Sequence, residues 1–375
     1  MRYVSYHRIV VKLGTTLLTS GRDHLDLAVM ATLVEQLVAL HARGRQIIVV
    51  SSGAVAAGRE RLRRLPPGDV HGTPLKQVLA SVGQSHLMST YETLFSRHDI
   101  IIAQALLTRD SVVDRAGYLN ARNTLLALCE MGVICIVNEN DVVAVEELGE
   151  RRFGDNDNLS AMVSNLVDAD VLVILTDTGG LYTADPRTHP DATLIPRVDS
   201  IDASVEALAG GTVSGQGVGG MATKVEAARL ATCSGVEVVV AAGREPDVLL
   251  RLDSGERLGT LFAASTSRLE SRKRWMASGL ASHGRIVVDR GAVSALKKGT
   301  GSLLPAGVTA VEGAFKRGDI VDIVGDGGAR IASGIVNYDS GDVERIRGQH
   351  TGRLAELLEH VYGDEIVHRN NMVVL

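Results

Sequence analysis

The chain has 375 residues, of which 45% are apolar and 22% are charged, and its formal net charge is −5. At roughly 150 residues per domain, this length predicts about two and a half domains with sizeable cores, and the composition excludes global disorder. The slight acidic excess does not indicate binding to nucleic acid or to an anionic membrane. No run approaches the roughly 18 apolar residues of a membrane-spanning helix.

Short apolar runs alternate with helical patterns along the first two thirds of the chain. The runs are Arg8–Leu13, Gln46–Val50, Asp99–Leu107, Val133–Val137, Asp170–Leu175 and Val236–Ala241. Continuous apolar runs of this kind are typical of strands covered on both faces. Helical patterns cover Val29–Leu40, which stops before a predicted cap at Gly44, and then Asn120–Met131, Asn158–Val167 and Thr223–Cys233. We therefore predict an α/β fold with a mostly parallel sheet and helices on both faces.

The last third of the chain has a different pattern. We place an amino-terminal domain at residues 1–263, a polar connector at 264–282, a small second domain at 283–361 and a tail at 362–375. Glycine-bounded strand-like runs predict that the second domain is a small β-barrel or sandwich. From His283 onward, 11 basic residues face 12 acidic ones, which disfavours an RNA-binding face but leaves open a local patch around Lys297, Lys298, Lys316 and Arg317.

The cysteines and the amino-terminal residues indicate the cellular compartment of the protein. Cys129, Cys135 and Cys233 are an odd number, and they show no CxxC motif and no Cys/His spacing typical of zinc sites. We expect them to be buried free thiols. The first residues have neither the apolar segment nor the cleavage site of a secretory signal. Together these features predict a cytoplasmic protein.

Polar residues and glycines follow several of the predicted strands. The segments are Lys12–Thr16, Ser51–Ala54, Asn138–Asp141 and Thr176–Asp177, with a glycine-rich loop at Ser214–Lys224. Ligands of α/β sheets bind beyond the carboxyl ends of the strands, so these segments are expected to meet at one edge. Their glycines, hydroxyls, carboxamides and lysines suit a phosphate and a small polar substrate.

Each of these features also has an ordinary structural explanation. Gly14 and Gly53 would let backbone N–H groups approach anionic oxygens, although either glycine could merely allow a tight turn. Lys12, near the end of an apolar strand, needs a negative partner unless it extends to the surface. Lys224, at the start of a helix, would add its charge to the helix N-terminus, unless it is an ordinary first-turn lysine.

The run Gly154–Asn158 contains four consecutive Asp and Asn residues at the start of a helix. One of them could be a helix N-cap, but two acids with two carboxamides could also hold an ammonium group and orient lysines. The spacing lacks the turn glycine and the distal glutamate of an EF-hand. The GxGxxG match at Gly215–Gly220 does not follow a strand, and no P-loop motif occurs.

A series of motifs carries a resemblance over nearly the whole chain: VVKLGTTLLT, SSGAVAAGRE, VGQ, LLTRDSVVDR, YLNARNTL, VNENDVV, GDNDNLSA, LTDTGGLYTADPR, GVGGMATK and GTLF. In this order they resemble the amino-acid kinase family, and within it the glutamate 5-kinase family. The segments GRIVVDRGAVSALKKGTGSLLPAGV and FKRGD resemble a PUA domain. The stretch between Asp141 and Gly154 is longer than the family pattern leads us to expect.

The resemblance implies a role for individual residues. Lys12 and Lys224 would neutralise the transferred γ-phosphoryl group, and Asp157 would hold both lysines. Backbone N–H groups at Gly14 and Gly53 would cradle phosphoryl oxygens. Glutamate would be bound by Ser52, Asp141 and Asn156, assisted by Asn138 and Asp155. ATP would be held by Lys12, Thr176, Asp177, Val218, Gly219, Gly220, Met221, Ala222, Thr223 and Lys224.

The resemblance also implies an activity, namely ATP-dependent phosphorylation of the glutamate side-chain carboxylate, with Mg²⁺ carried by ATP. It implies inhibition by proline, a homo-oligomer and transfer of the product to a glutamate-5-semialdehyde dehydrogenase. Kinases of aspartate, N-acetylglutamate or a nucleoside monophosphate share the phosphate-binding residues, so these substrates stay open. An RNA-binding protein and an inactive amino-acid sensor are the alternatives from other classes.

Overall fold

The computed structural model describes residues 6–63, 72–108, 112, 114–143, 156–210, 220–265, 284–298 and 301–374. The chain forms two compact units. The first comprises Met1–Val112 and Ala121–Ser267, and the second comprises Val113–Asn120 and Arg268–Leu375. No helix in the described ranges is both long and apolar enough to cross a membrane.

The first unit is built on a sheet that has eight strands in the described part of the chain. They are β1 Arg8–Leu13, β2 Gln46–Ser51, β3 Ile102–Leu107, β4 Ile134–Glu139, β5 Val171–Thr176, β6 Arg197–Val198, β7 Glu237–Ala242 and β8 Thr260–Phe262. The order is β3-β4-β2-β1-β5-β7-β8-β6, and β7 and β8 are the only antiparallel neighbours among these strands. The predicted mostly parallel α/β sheet is confirmed.

Helices cover both faces of this sheet. They are α1 Thr15–Thr19, α2 Leu27–Ala42, α3 Ala54–Leu62, α4 Gly72–Phe95, α5 Arg115–Glu130, α6 Asn156–Leu166, α7 Ala203–Leu208, α8 Met221–Thr232 and α9 Val248–Asp253. All six residues of β5 are buried, as are the last five of β1, because helices cover these central strands on both sides. Helix α2 ends before Gly44, which has a φ of 76° and so confirms the predicted cap.

Three local predictions differ from the structure. Strand β3 begins at Ile102 rather than at Asp99, because Asp99 has a φ of 55° and closes a 3₁₀ turn at Ser96–His98. Helix α5 begins at Arg115, five residues before the predicted start at Asn120. Cys233 is exposed rather than buried, since it follows the last turn of α8, whereas Cys129 and Cys135 are buried as predicted.

Helices α3 and α4 pack with their backbones in contact. A Cβ atom at Gly83 would lie 1.7 Å from the carbonyl oxygen of Ala54, and one at Gly58 would lie 1.9 Å from that of Leu79. No side chain fits at either position, because real Cβ atoms do not approach other heavy atoms so closely. The two glycines therefore set the distance between α3 and α4.

The second unit has its own sheet, which has five strands within the described ranges. They are β9 Gly284–Val288, β10 Val308–Gly313, β11 Ile320–Gly325, β12 Arg330–Ile335 and β13 Met372–Val374, in the order β10-β9-β11-β12-β13. Its helices are α10 Arg290–Lys297, α11 Ser340–Ile346 and α12 Leu354–Leu357. The predicted β-rich second domain is confirmed, with a buried apolar core of its own.

The carboxyl-terminal residues belong to this second unit rather than forming a separate tail. Strand β13 pairs antiparallel with β12, and Ile366, Val367 and Met372 are buried in the core of the unit. The prediction of a tail at 362–375 missed this strand because three apolar residues at the end of a chain are too short to show an alternating pattern.

Candidate active site

A cavity of about 350 Å³ lies where the segments after β1, β2, β4 and β5 meet. These strands are parallel, so their carboxyl ends lie at the same edge of the sheet. The predicted site residues that line the cavity are Lys12, Gly14, Ser52, Gly53, Asn138, Asp141, Asn156, Thr176, Asp177 and Lys224. Asp155, Val218 and Gly219 lie outside the described residues. Gly220–Thr223 are at the start of α8 and do not line the cavity.

Two lysines share one buried aspartate beside the cavity. Lys12 Nζ lies 2.5 Å from Asp157 Oδ1, and Lys224 Nζ lies 3.1 Å from Asp157 Oδ2. The side chains are 5%, 0% and 6% exposed for Lys12, Asp157 and Lys224. Among the described residues, two lysine ammonium groups contact this one carboxylate at a poorly solvated position, and these three groups together carry one net positive charge. This arrangement attracts an anion into the cavity.

The surroundings of Asp157 keep it ionised. Burial raises the pKa of its carboxyl, but the charges of Lys12 and Lys224 and the hydrogen bonds from Lys12 and Thr223 outweigh this effect. The pKa therefore lies below its ordinary value. The Thr223 hydroxyl lies 2.8 Å from Asp157 Oδ2, so this residue, predicted to hold ATP, contacts the aspartate.

The two predicted phosphate-binding glycines differ in their surroundings. Gly53 has a φ of 102° and is the N-cap of α3, and the first helical residues Ala54, Val55 and Ala56 line the cavity. Backbone N–H groups of a first helical turn have no partner within the helix, and they bind anions well. Gly14 has an ordinary φ of −77°, and its N–H donates a long hydrogen bond of 3.4 Å to the carbonyl of Leu175.

A chain of carboxamides lies along one side of the cavity. Asn156 Nδ2 lies 2.9 Å from Ser52 Oγ and 3.0 Å from Asn138 Oδ1. Asn138 Nδ2 in turn donates to Gln84 Oε1 at 2.8 Å. The Asn156 Nδ2 group also lies 3.0 Å from the carbonyl oxygen of Ser51, which can only accept. Asn156 Oδ1 is thereby left as an acceptor for a ligand donor such as an ammonium group.

Two cations that were not predicted from the sequence also line the cavity, namely Arg59 on α3 and Lys76 on α4. Burial raises the pKa of the Asp141 carboxyl above its ordinary value, while the charge of Lys76 acts against this rise. Helix-borne cations are usually solvated, so neither residue gave a signal by itself. No local sequence pattern identifies Arg59, because only the structure shows that Val55, one helical turn earlier, lines the cavity.

Thr176 and Asp177, at the end of β5, complete the described lining on the side of the lysine pair. The Thr176 hydroxyl donates to Asp177 Oδ1 at 3.0 Å. Within the described ranges, no three His, Cys, Asp or Glu side chains come close enough to hold a metal ion. The cavity thus combines a positively charged end with a polar side that can hold a zwitterion.

A larger depression, of about 640 Å³, lies on the second unit and is lined in part by Arg290, Lys297, Lys298 and Asp326. Two of the four residues of the basic patch left open by the sequence, Lys297 and Lys298, therefore line this depression. Arg317 lies 3.9 Å from the centre of the Tyr362 ring. The lysine pair on Asp157 and the chain of carboxamides lie at the cavity of the first unit instead. We accordingly place the candidate active site in the first unit.

Comparison with known proteins identifies the family. The model of the amino acid kinase family matches residues 7–242, and that of the PUA domain matches residues 284–358. Glutamate 5-kinase of Dehalococcoides mccartyi is 55% identical over 372 residues, which cover 99% of each chain. Those of Herpetosiphon aurantiacus and Deinococcus radiodurans are 50% and 47% identical, covering 98% of this chain and 98% and 100% of theirs. The chain therefore belongs to the glutamate 5-kinases of the amino acid kinase family and carries a carboxyl-terminal PUA domain.

Proposed function

We propose that this protein transfers the γ-phosphoryl group of ATP to the side-chain carboxylate of L-glutamate, giving γ-glutamyl phosphate and ADP, the first step of proline biosynthesis. The observation that carries the proposal is the pair of lysines on Asp157, beside a cavity with a side suited to an amino acid. The names of the relatives support glutamate as the substrate.

The reaction needs alignment and charge neutralisation rather than a base. A carboxylate is ionised at pH 7, so its oxygen attacks the γ-phosphorus directly while the bond to the β-γ bridging oxygen breaks and ADP leaves. Lys12 and Lys224 neutralise negative charge on the phosphoryl oxygens, and N–H groups of the first turn of α3 donate to them. Mg²⁺ carried by ATP supplies further positive charge at the phosphates.

The amino-acid group would bind along the polar side of the cavity. Asp141 and Asn156 Oδ1 accept from the substrate ammonium, and the Ser52 hydroxyl, which accepts from Asn156, donates its own proton to a substrate oxygen. Asn138 holds Asn156, and Asp155 is assigned to the same group by the family resemblance. Thr176, Asp177 and Lys224 hold ATP at the cavity. Residues 218–223 are assigned to ATP by the family resemblance, with Thr223 acting through Asp157.

Further properties are proposed from the family resemblance. Proline competes at the glutamate site, the protein is a cytoplasmic homo-oligomer, and the labile acyl phosphate passes to a glutamate-5-semialdehyde dehydrogenase. RNA binding is not part of the proposal, because the region from His283 onward carries a slight acidic excess.

An acyl-phosphate trap tests the proposal. Purified protein is incubated with MgATP, hydroxylamine and L-glutamate, and hydroxamate and ADP are measured beside aspartate, N-acetylglutamate and UMP controls. We expect glutamate-dependent hydroxamate in an amount that matches the ADP. Hydroxamate with aspartate alone, or ADP with UMP alone, would assign a different substrate to the same phosphate site. No turnover with any substrate would contradict the proposed kinase activity.

A further inference from the structure

Glutamate carries two carboxylates and one ammonium group. The residues assigned so far bind the side-chain carboxylate and the ammonium, but not the α-carboxylate. The lysine pair is used at the phosphates and the reacting carboxylate, and Asp141 with Asn156 is used at the ammonium. The α-carboxylate is bonded to the same carbon as the ammonium, so a cation that recognises it must lie near Asp141. The described cavity lining contains two further cations, Arg59 and Lys76.

The packing of α3 on α4 sets the spacing of the two helices that carry these cations, both of which line the cavity. Gly58, the residue before Arg59, is in backbone contact with Leu79, which lies one helical turn after Lys76. Val55, one turn before Arg59, lines the cavity as well, so Arg59 lies on the cavity face of α3. The backbone contact at Gly58 therefore fixes the relative positions of the two helical segments that carry Arg59 and Lys76.

The two cations differ in their present interactions. Lys76 interacts with Asp141, whose carboxyl pKa it lowers against the effect of burial. For Arg59, no ion pair or hydrogen bond to another side chain occurs among the described residues. A guanidinium has a planar set of donors that matches a carboxylate with two hydrogen bonds. Arg59 is therefore the cation whose charge a ligand can use.

We propose that Arg59 binds the α-carboxylate of the amino-acid substrate, next to Lys76 and Asp141, and so selects a free α-carboxylate. This inference rests on the proposed function, because it assumes that the side-chain carboxylate lies at the lysine pair. It adds a specificity residue that acts at the opposite end of the substrate from the reacting group.

A comparison of two substrates separates recognition of the α-carboxylate from recognition of the ammonium and the reacting side-chain carboxylate. L-Isoglutamine keeps the side-chain carboxylate that is phosphorylated and the ammonium, but its α-carboxylate is a neutral amide. The ratio of kcat/KM for L-glutamate to kcat/KM for L-isoglutamine measures the discrimination. In Arg59→Met we expect this ratio to fall about tenfold and no more, because Arg59 is exposed and its charge is screened by solvent. KM for glutamate should rise by a similar factor, while kcat and KM for ATP change less than about twofold.

Two further variants make the result specific. Arg61→Met removes the same charge from the same helix, at a residue that does not line the cavity, and should leave the ratio unchanged. Arg59→Gln also removes the positive charge and should lower the ratio by a similar factor, so it provides a second measurement if Arg59→Met unfolds.

The possible outcomes are distinct. An unchanged ratio in Arg59→Met, or an equal fall in Arg61→Met, would overturn the inference and leave the proposed function standing. A wild-type protein that forms no hydroxamate with glutamate would overturn both.

Discussion

The buried ion pairs of Lys12 and Lys224 with Asp157 give the first prediction at the scale of single residues. In Lys12→Ala or Lys224→Ala, Asp157 keeps one partner, so the fold should be retained while positive charge at the phosphoryl group is halved. We expect kcat to fall about 100- to 1,000-fold, as for the loss of one charge-stabilising group in other active sites. Turnover is measured as hydroxamate and ADP. Unchanged kcat in either variant would contradict the assignment.

Asp157 also predicts how stability depends on pH. Its pKa in the folded protein is lowered, so its ion pairs contribute stability that is fully present above the unfolded value of about 4 and is lost as the pH falls through the folded value. Asp157→Asn should lower the free energy of unfolding at pH 7 by about 3–5 kcal/mol, because two buried cations lose their counter-ion.

Urea unfolding measured across the acid range tests this pH dependence. The difference between wild type and Asp157→Asn should shrink as the pH falls below about 4, because protonated Asp157 resembles asparagine. A difference that stays constant down to the acid limit would show that the ion pairs are not its source.

At the scale of elements, the backbone contact of α3 with α4 predicts an unusual effect of a small substitution. Gly83→Ala would place a Cβ atom 1.7 Å from the Ala54 carbonyl, at the start of α3, so the helices must move apart. We expect a loss of about 1–3 kcal/mol or more in stability, although alanine favours a helix more than glycine does. Glutamate KM should rise too, since Gly53 and Arg59 flank this contact.

Gly341→Ala is the matched control for this substitution. It also lies in a helix, but nothing is within 4 Å of the Cβ position, so both stability and KM should stay close to wild type. A Gly83→Ala protein with normal melting temperature and KM would show that the two helices do not set the shape of the cavity.

At the scale of the whole molecule, all described residues that line the candidate active site belong to the first unit. The second unit has its own sheet and its own buried core. We therefore expect a chain that ends at Ser267 to keep kcat and the KM for glutamate within about threefold of the full chain, because it retains every described lining group. The hydroxamate assay on both chains measures this. A truncated protein that is folded by circular dichroism but inactive would assign the second unit a part in catalysis.

The sequence by itself determined those features that depend on neighbours along the chain. The continuous apolar run Val171–Leu175 already indicated a strand covered on both faces, and the helical spacing before Gly44 indicated where α2 ends. Motifs after the strands identified most of the lining, because parallel strands bring their carboxyl ends to one edge. These inferences succeed because periodicity and capping are local properties of a sequence.

Only the tertiary structure decided which distant residues meet. No local pattern places Asp157 between lysines from a strand and a helix far apart in the chain, which only the family resemblance implied. Arg59 comes to the cavity through the contact of Gly58 with Leu79. Likewise, Met372–Val374 became a strand because β12 offered an edge for pairing. The physical reason is that such contacts depend on strand order and helix packing, which a local pattern does not encode.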